Sequence, residues 1–153
     1  MDKWQSAYID VAERFASLST AKRLKVGAIV VKDNRVLSIG YNGMPSGWDN
    51  NCEDECKPDW MSREATQEDI DLGMVLLKTK AEVIHAEMNC LAKLAASNES
   101  GKGAELYITH APCMECSKMI YASGISKVYY RTEFRDVSGV IFLRQCGLEI
   151  EQI

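Results

Sequence analysis

Residues 104–131 read AELYITHAPCMECSKMIYASGISKVYYR. Ala104 to Thr109 is apolar and β-favouring, as expected of a strand. Pro112 suits the first turn of a helix, where its missing N–H costs nothing. That helix is expected to run to about Ser123 and to stop at Gly124. Lys127 to Arg131 then predicts the next strand. Strand, helix and strand within so short a stretch call for an α/β layered domain.

The flanks extend this pattern. Trp4, Tyr8, Val11, Phe15 and Leu18 recur at helical spacing and predict a helix over 3–18 with that face inward. Val26 to Val31 and Arg35 to Tyr41 flank the turn signal Asp33-Asn34, so a β-hairpin is expected and the sheet should be mixed. His85 to Ala96 and Ser138 to Cys146 predict two more helices. Leu148 and Ile150 alternate with Glu149 and Glu151, which suggests a short edge strand. The expected domain is single and spans 1–153, with an inserted loop and short helix at about 43–80. The insert reads as a Gly-, Pro-, Asn- and Asp-rich loop over 40–59. A helix follows, started by Thr66 and Asp69 and carrying Ile70, Met74 and Leu77.

Bulk properties narrow the function. The chain has 153 residues, enough for one core and few for two. A net charge of −4 argues against holding a polynucleotide by its phosphates, though not against a small basic pocket. No apolar run approaches a membrane span, and Met1-Asp2-Lys3-Trp4 does not begin a signal peptide, so no membrane and a cytoplasmic setting are expected. Disulfides are then not expected, and the six cysteines need another explanation.

Two motifs supply one: His85-Ala86-Glu87 and Pro112-Cys113-Met114-Glu115-Cys116. Cysteines three apart at a helix start can turn both sulfurs to one ion, and the unpaired N–H groups there favour thiolate. His85 adds a neutral third ligand. Two thiolates and an imidazole balance Zn²⁺ and leave a fourth position open, the pattern of a catalytic zinc. Water in that position becomes acidic near neutral pH. Glu87, two residues after His85, is placed to move its protons without being a ligand. An H-x-E motif followed later in the chain by P-C-x-x-C is the signature of zinc deaminases, in which the glutamate has this same role.

The chain resembles the deoxycytidylate deaminase family of the cytidine deaminase superfamily over nearly all its length. The resemblance rests on Val26–Lys32, the run Gly40-Tyr-Asn-Gly-Met-Pro-Ser-Gly47, Ile84–Asn89, Leu106–Thr109, and Pro112–Cys116 through Ile125. It implies a three-layer α/β/α fold with a five-stranded sheet, and hydrolytic deamination of dCMP to dUMP for thymidylate synthesis. It also implies a homohexamer activated by dCTP and inhibited by dTTP, often with Mg²⁺ beside the effector triphosphate. Asn42 matches the position that contacts the substrate sugar; the alternative is a turn residue beside Gly43. Gly43 and Asp49 are candidates for effector binding.

The substrate phosphate would need positive charge. Lys22, Arg23 and Lys25 precede the first strand, and Arg131 and Arg135 follow the fourth, near the expected pocket mouth. Arg23 and Arg135 are the preferred phosphate contacts, and Phe134 is a candidate cover for the ring. Some relatives carry a second zinc in the insert. Cys52 and Cys56 are present here, but the insert has no histidine, so reduced structural cysteines are the preferred reading. Cys90 and Cys146 read as apolar helix-face residues. Two alternatives stay open: a deaminase of another cytosine or adenine substrate, such as a nucleoside, a free base or tRNA, and an inactive zinc-stabilised binding module.

Overall fold

The structure is a computed structural model that describes residues 1–153. Its first helix, α1 (Lys3–Ala16), opens with a capping box in which the Asp2 carboxylate accepts from the N–H groups of Trp4 and Gln5. A hairpin follows, β1 (Gly27–Lys32) and β2 (Arg35–Tyr41). Asp33 and Asn34 both take positive φ, 51° and 57°, as a tight two-residue turn requires. The insert holds β3 (Glu53–Cys56), α2 (Gln67–Asp71) and β4 (Leu76–Thr79). After it come α3 (Ala86–Ala95), β5 (Glu105–His110), α4 (Met114–Ala122), β6 (Lys127–Thr132), α5 (Ser138–Gln145) and β7 (Glu149–Gln152).

The main sheet has five strands in the order β2-β1-β5-β6-β7. β1 pairs antiparallel with β2 and β5, whereas β5–β6 and β6–β7 are parallel. The sheet is therefore mixed, with the short C-terminal strand at one edge, as expected. Both faces are buried. Ala28, Val30, Leu106, Ile108, Val128 and Tyr130 belong to a core shared with Cys90, Leu91, Leu94, Ile120, Val140 and Leu143 of α3, α4 and α5. Ile29, Val31, Tyr107 and Tyr129 pack instead with Tyr8, Ile9 and Ala12 of α1. This is the three-layer α/β/α arrangement. Each fully buried Leu or Ile contributes roughly 1.5–3 kcal/mol by leaving water, so these two cores carry the fold.

Two expectations need correction. Of the expected face of α1, Tyr8, Val11 and Phe15 do meet the core, but its most buried residues are Ile9, Ala12 and Ala16, and Trp4 and Leu18 are half exposed. Gly27 shows why. A Cβ there would lie 2.0 Å from the carbonyl oxygen of Ala12 and 2.7 Å from the nitrogen of Ala16. The helix meets the sheet backbone to backbone, so alanines face inward and the bulky residues rotate to the flank. In the insert, the expected helix over Ile70, Met74 and Leu77 stops after five residues. The N–H groups of Met74 and Val75 both turn back to the carbonyl of Asp69. The chain then pairs as β4 with β3, in the register Glu53↔Thr79 to Cys56↔Leu76, with β3 inside the expected loop and β4 where the helix is expected to carry Leu77. Local periodicity could not show this, because the paired residues stand 20 to 26 positions apart.

Candidate active site

The parallel strands end at one edge of the sheet, where the loops after β5 and β6 meet the start of α3. Ligand sites favour this end of α/β sheets. His85 is the N-cap of α3 and Cys113 the N-cap of α4, and neither side chain caps its own helix. Both are therefore free to turn toward each other. Gly40 in β2 lets α3 approach: a Cβ there would lie 2.3 Å from the carbonyl oxygen of Ala86 and 2.5 Å from the nitrogen of Cys90. The side chain of Asn89 donates to the carbonyl of Tyr41 at 2.9 Å and ties the same helix to the end of β2.

Nδ1 of His85 lies 3.6 Å from Sγ of Cys113 and 3.4 Å from Sγ of Cys116. The three ligand atoms all fall within 4.8 Å of one another. His85 is exposed, Cys113 half-buried and Cys116 buried, so the cluster opens on one side. The donor set fits a tetrahedral zinc with one free position. The electrostatics agree. The Cys113 thiol is drawn down to about 4 by hydrogen bonds from Cys116 and then His85. The Cys116 thiol is pushed up by its bond to Cys113 and by burial. A sulfur held as thiolate beside a second sulfur and an imidazole suits a dication. His85 is raised, chiefly by its bond to Cys113.

Glu87 stands in the first turn of α3 and is buried. Burial pushes its carboxyl up to about 7, against the opposing pull of its backbone N–H and of His85. Near that value a carboxyl both takes and gives protons at neutral pH.

A cavity of about 460 Å³ opens over these residues. His85, Glu87, Cys113, Asn42, Arg23, Phe134 and Arg135 all line it. Asn42 is buried. Its Oδ1 accepts from the N–H of Val26 and its Nδ2 donates to the carbonyl of Leu24, each at 2.8 Å, which leaves one amide hydrogen free. Arg23 donates from Nη1 to Oγ1 of Thr79 at 3.2 Å. The guanidinium of Arg135 sits 5.8 Å over the ring of Phe134. Neither arginine has a carboxylate partner within the chain.

Other residues fall elsewhere. Arg131 is not at the pocket mouth: it pairs with Asp10 and Glu13 of α1, at 3.1 and 2.7 Å. Gly43 exchanges two backbone hydrogen bonds with Ile84, just before His85, and Asp49 accepts from the N–H of Asn51. Neither lines the cavity. Cys52 is buried, Cys56 is exposed, and neither joins a metal-ligating cluster. Cys90 is a core residue, whereas Cys146 is half-buried and caps α5.

The cavity also takes residues that the motifs do not include: Glu53, Thr79, Val83 and His110. Oε1 of Glu53 accepts from the N–H groups of Lys22 and Arg23, at 2.8 and 3.1 Å, and so pins the insert to the loop that carries Arg23. The only sequence signal for His110 is rarity, since the chain has two histidines.

Comparison with known proteins agrees with this geometry. Residues 2–132 match the model of the cytidine and deoxycytidylate deaminase zinc-binding region. The deoxycytidylate deaminase of Mycobacterium phage D29 is 38% identical over 130 residues, covering 85% of this chain and 95% of its own. ComE operon protein 2 of Bacillus subtilis is 32% identical over 153 residues, covering 98% and 71%. Among solved structures, the dCMP deaminase of cyanophage S-TIM5 in complex with dCMP and dUMP is 41% identical, with a TM-score of 0.82, over 100% of this chain and 99% of that one. The chain belongs to the cytidine and deoxycytidylate deaminase family.

Proposed function

We propose that this chain hydrolyses dCMP to dUMP and ammonia. One observation carries the reading: the His85, Cys113 and Cys116 cluster and the buried Glu87 share a cavity with two arginines that have no anionic partner. A base-deaminating centre and two arginines free of any carboxylate partner in one pocket suit a nucleotide better than a nucleoside. The similarity to a phage enzyme solved with dCMP and dUMP supports the same choice.

His85, Cys113 and Cys116 would hold Zn²⁺, which when bound lowers the pKa of a water molecule and so supplies a nucleophile at neutral pH. Glu87 would take one proton of the water and deliver it to N3 of the pyrimidine as the water oxygen bonds to C4. It would then take the remaining proton of that oxygen and give it to the amine, so that the C4–N bond breaks, the C4 carbonyl forms and ammonia leaves. Burial supports this role by holding the carboxyl near the pH at which both transfers are feasible. The free amide hydrogen of Asn42 is assigned to a sugar hydroxyl, Phe134 to the ring face, and Arg23 and Arg135 to the phosphate.

The resemblance also supports regulation, with dCTP activating and dTTP inhibiting a homohexamer and with Mg²⁺ beside the triphosphate. Gly43 and Asp49, in the loop after β2, are the assigned effector contacts. Turnover of dCMP against deoxycytidine by zinc-loaded protein tests the core reading. A strong preference for dCMP is expected, and equal turnover of the two would contradict it.

A further inference from the structure

The roles above leave one cavity residue unused. His110 ends β5, lines the pocket and is only half-buried. Its Nδ1 lies 2.9 Å from Oγ1 of Thr109. That hydroxyl is buried and already accepts the N–H of Gly27 at 3.2 Å. It has a single hydrogen to place, and Nδ1 of His110 is its one remaining partner. If Nδ1 carried the ring proton instead, the oxygen would receive two donors and its own hydrogen would be buried without an acceptor. Such groups are avoided because they lose their bonds to water and gain nothing. The order of donation is therefore Gly27 N–H to Thr109 Oγ1, then Thr109 O–H to His110 Nδ1. The ring proton is left on Nε2. Burial also lowers the imidazole, with Glu13 of α1 opposing, which favours the neutral ring.

Nε2–H has no partner within the chain and faces the cavity, so it is free to donate to a ligand there. The balance of the pocket says which kind. Arg23 and Arg135 bring several guanidinium donors with no carboxylate partner; against them, Oε1 of Glu53 is spent on the N–H groups of Lys22 and Arg23, and its buried Oε2 is an unpaired acceptor, fewer than the free donors. A pocket with surplus donors matches a group that has acceptors alone. The pyrimidine edge and a sugar hydroxyl each offer both kinds; a phosphate dianion offers only acceptors.

We propose that His110 is a phosphate-recognition residue, whose Nε2–H, fixed by the hydroxyl of Thr109, donates to the 5′-phosphate of the substrate beside Arg23 and Arg135. Thr109 is a positioning residue that acts through it. This rests on the dCMP reading above.

Two measurements test it on the zinc-loaded protein. With two histidines in the chain, ¹⁵N NMR resolves the ring nitrogens directly. His110 should show protonated Nε2 and bare Nδ1. Thr109→Val should mix the tautomers, and Thr109→Ser should restore the original one. Kinetics then read the phosphate. His110→Phe should lower the ratio of kcat/KM for dCMP to that for deoxycytidine by about ten- to a hundredfold, mostly through KM, as expected for one hydrogen bond to a charged group. His110→Asn, which keeps an N–H donor, should recover part of the ratio and covers the case in which His110→Phe does not fold. Protonated Nδ1 in the unmodified protein overturns the proposal. So does an unchanged ratio in the His110 variants while the unmodified protein still prefers dCMP. If the unmodified protein itself shows no preference, the dCMP reading falls first and this one with it.

Discussion

Nδ1 of His85 lies 3.4 Å from the sulfur of Cys116, although 31 positions separate them in sequence. Two helix starts at one end of the sheet make the contact: α3 brought in over Gly40, and α4 launched from the end of β5. A dication held by this cluster would clamp the two helix starts together. Removing zinc with a chelator should therefore abolish turnover and also lower Tm. Cys116→Ser should do the same, because a hydroxyl is a poor substitute for a thiolate ligand. Metal analysis and a thermal melt check both. An unchanged Tm on metal removal would separate this site from stability.

Glu87 moves protons and is not a ligand in this account. Glu87→Gln should keep zinc at its original stoichiometry and cut kcat by about a hundred- to ten-thousandfold. Loss of metal along with activity would instead make Glu87 part of the ligand set.

Arg23 and Arg135 should act on the phosphate alone. Arg23→Ala or Arg135→Ala is expected to raise KM for dCMP about ten- to a hundredfold, while deoxycytidine turnover changes far less. Steady-state kinetics with both substrates decide it. Equal losses on the two would place these arginines in folding or in base contact.

His85, Glu87, Cys113 and Cys116 are legible in the sequence because their chemistry is rare and their spacing sits at helix starts. The mixed sheet follows from strand–helix alternation and the Asp33-Asn34 turn. The insert is not legible: β3 and β4 pair across a long gap, and their apolar residues have no periodicity of their own. Periodicity finds the inward side of α1 through Tyr8, Val11 and Phe15 but misses its centre at Ile9, Ala12 and Ala16, because the bulkiest residues define the stripe. Contact with Gly27 demands the smallest ones, a requirement held by a different segment. Position in sequence puts Arg131 near the pocket, but its partners Asp10 and Glu13 come from the far end of the chain.

The insert has an acid-sensitive anchor. Arg63 grips the carboxylate of Asp69 with two bonds, at 2.6 and 2.7 Å, and the N–H of Thr66 adds a third. These bonds, led by that from Arg63, hold the Asp69 carboxyl well below the usual range. A depressed carboxyl stabilises the fold above its unfolded pKa of about 4, and that contribution is lost as pH falls below it toward the folded value. Asp69→Asn should lower Tm at pH 7 and flatten its fall below about pH 4. Thermal melts across pH check this. A variant that melts like the unmodified protein at neutral pH would show that the contact contributes nothing.

Metal content and dCMP turnover measured on the same preparation decide whether the His85, Cys113 and Cys116 cluster is the catalytic centre. One zinc per chain is predicted, with turnover lost on stripping and regained on adding Zn²⁺. Full dCMP turnover by protein shown to hold no metal would contradict the account.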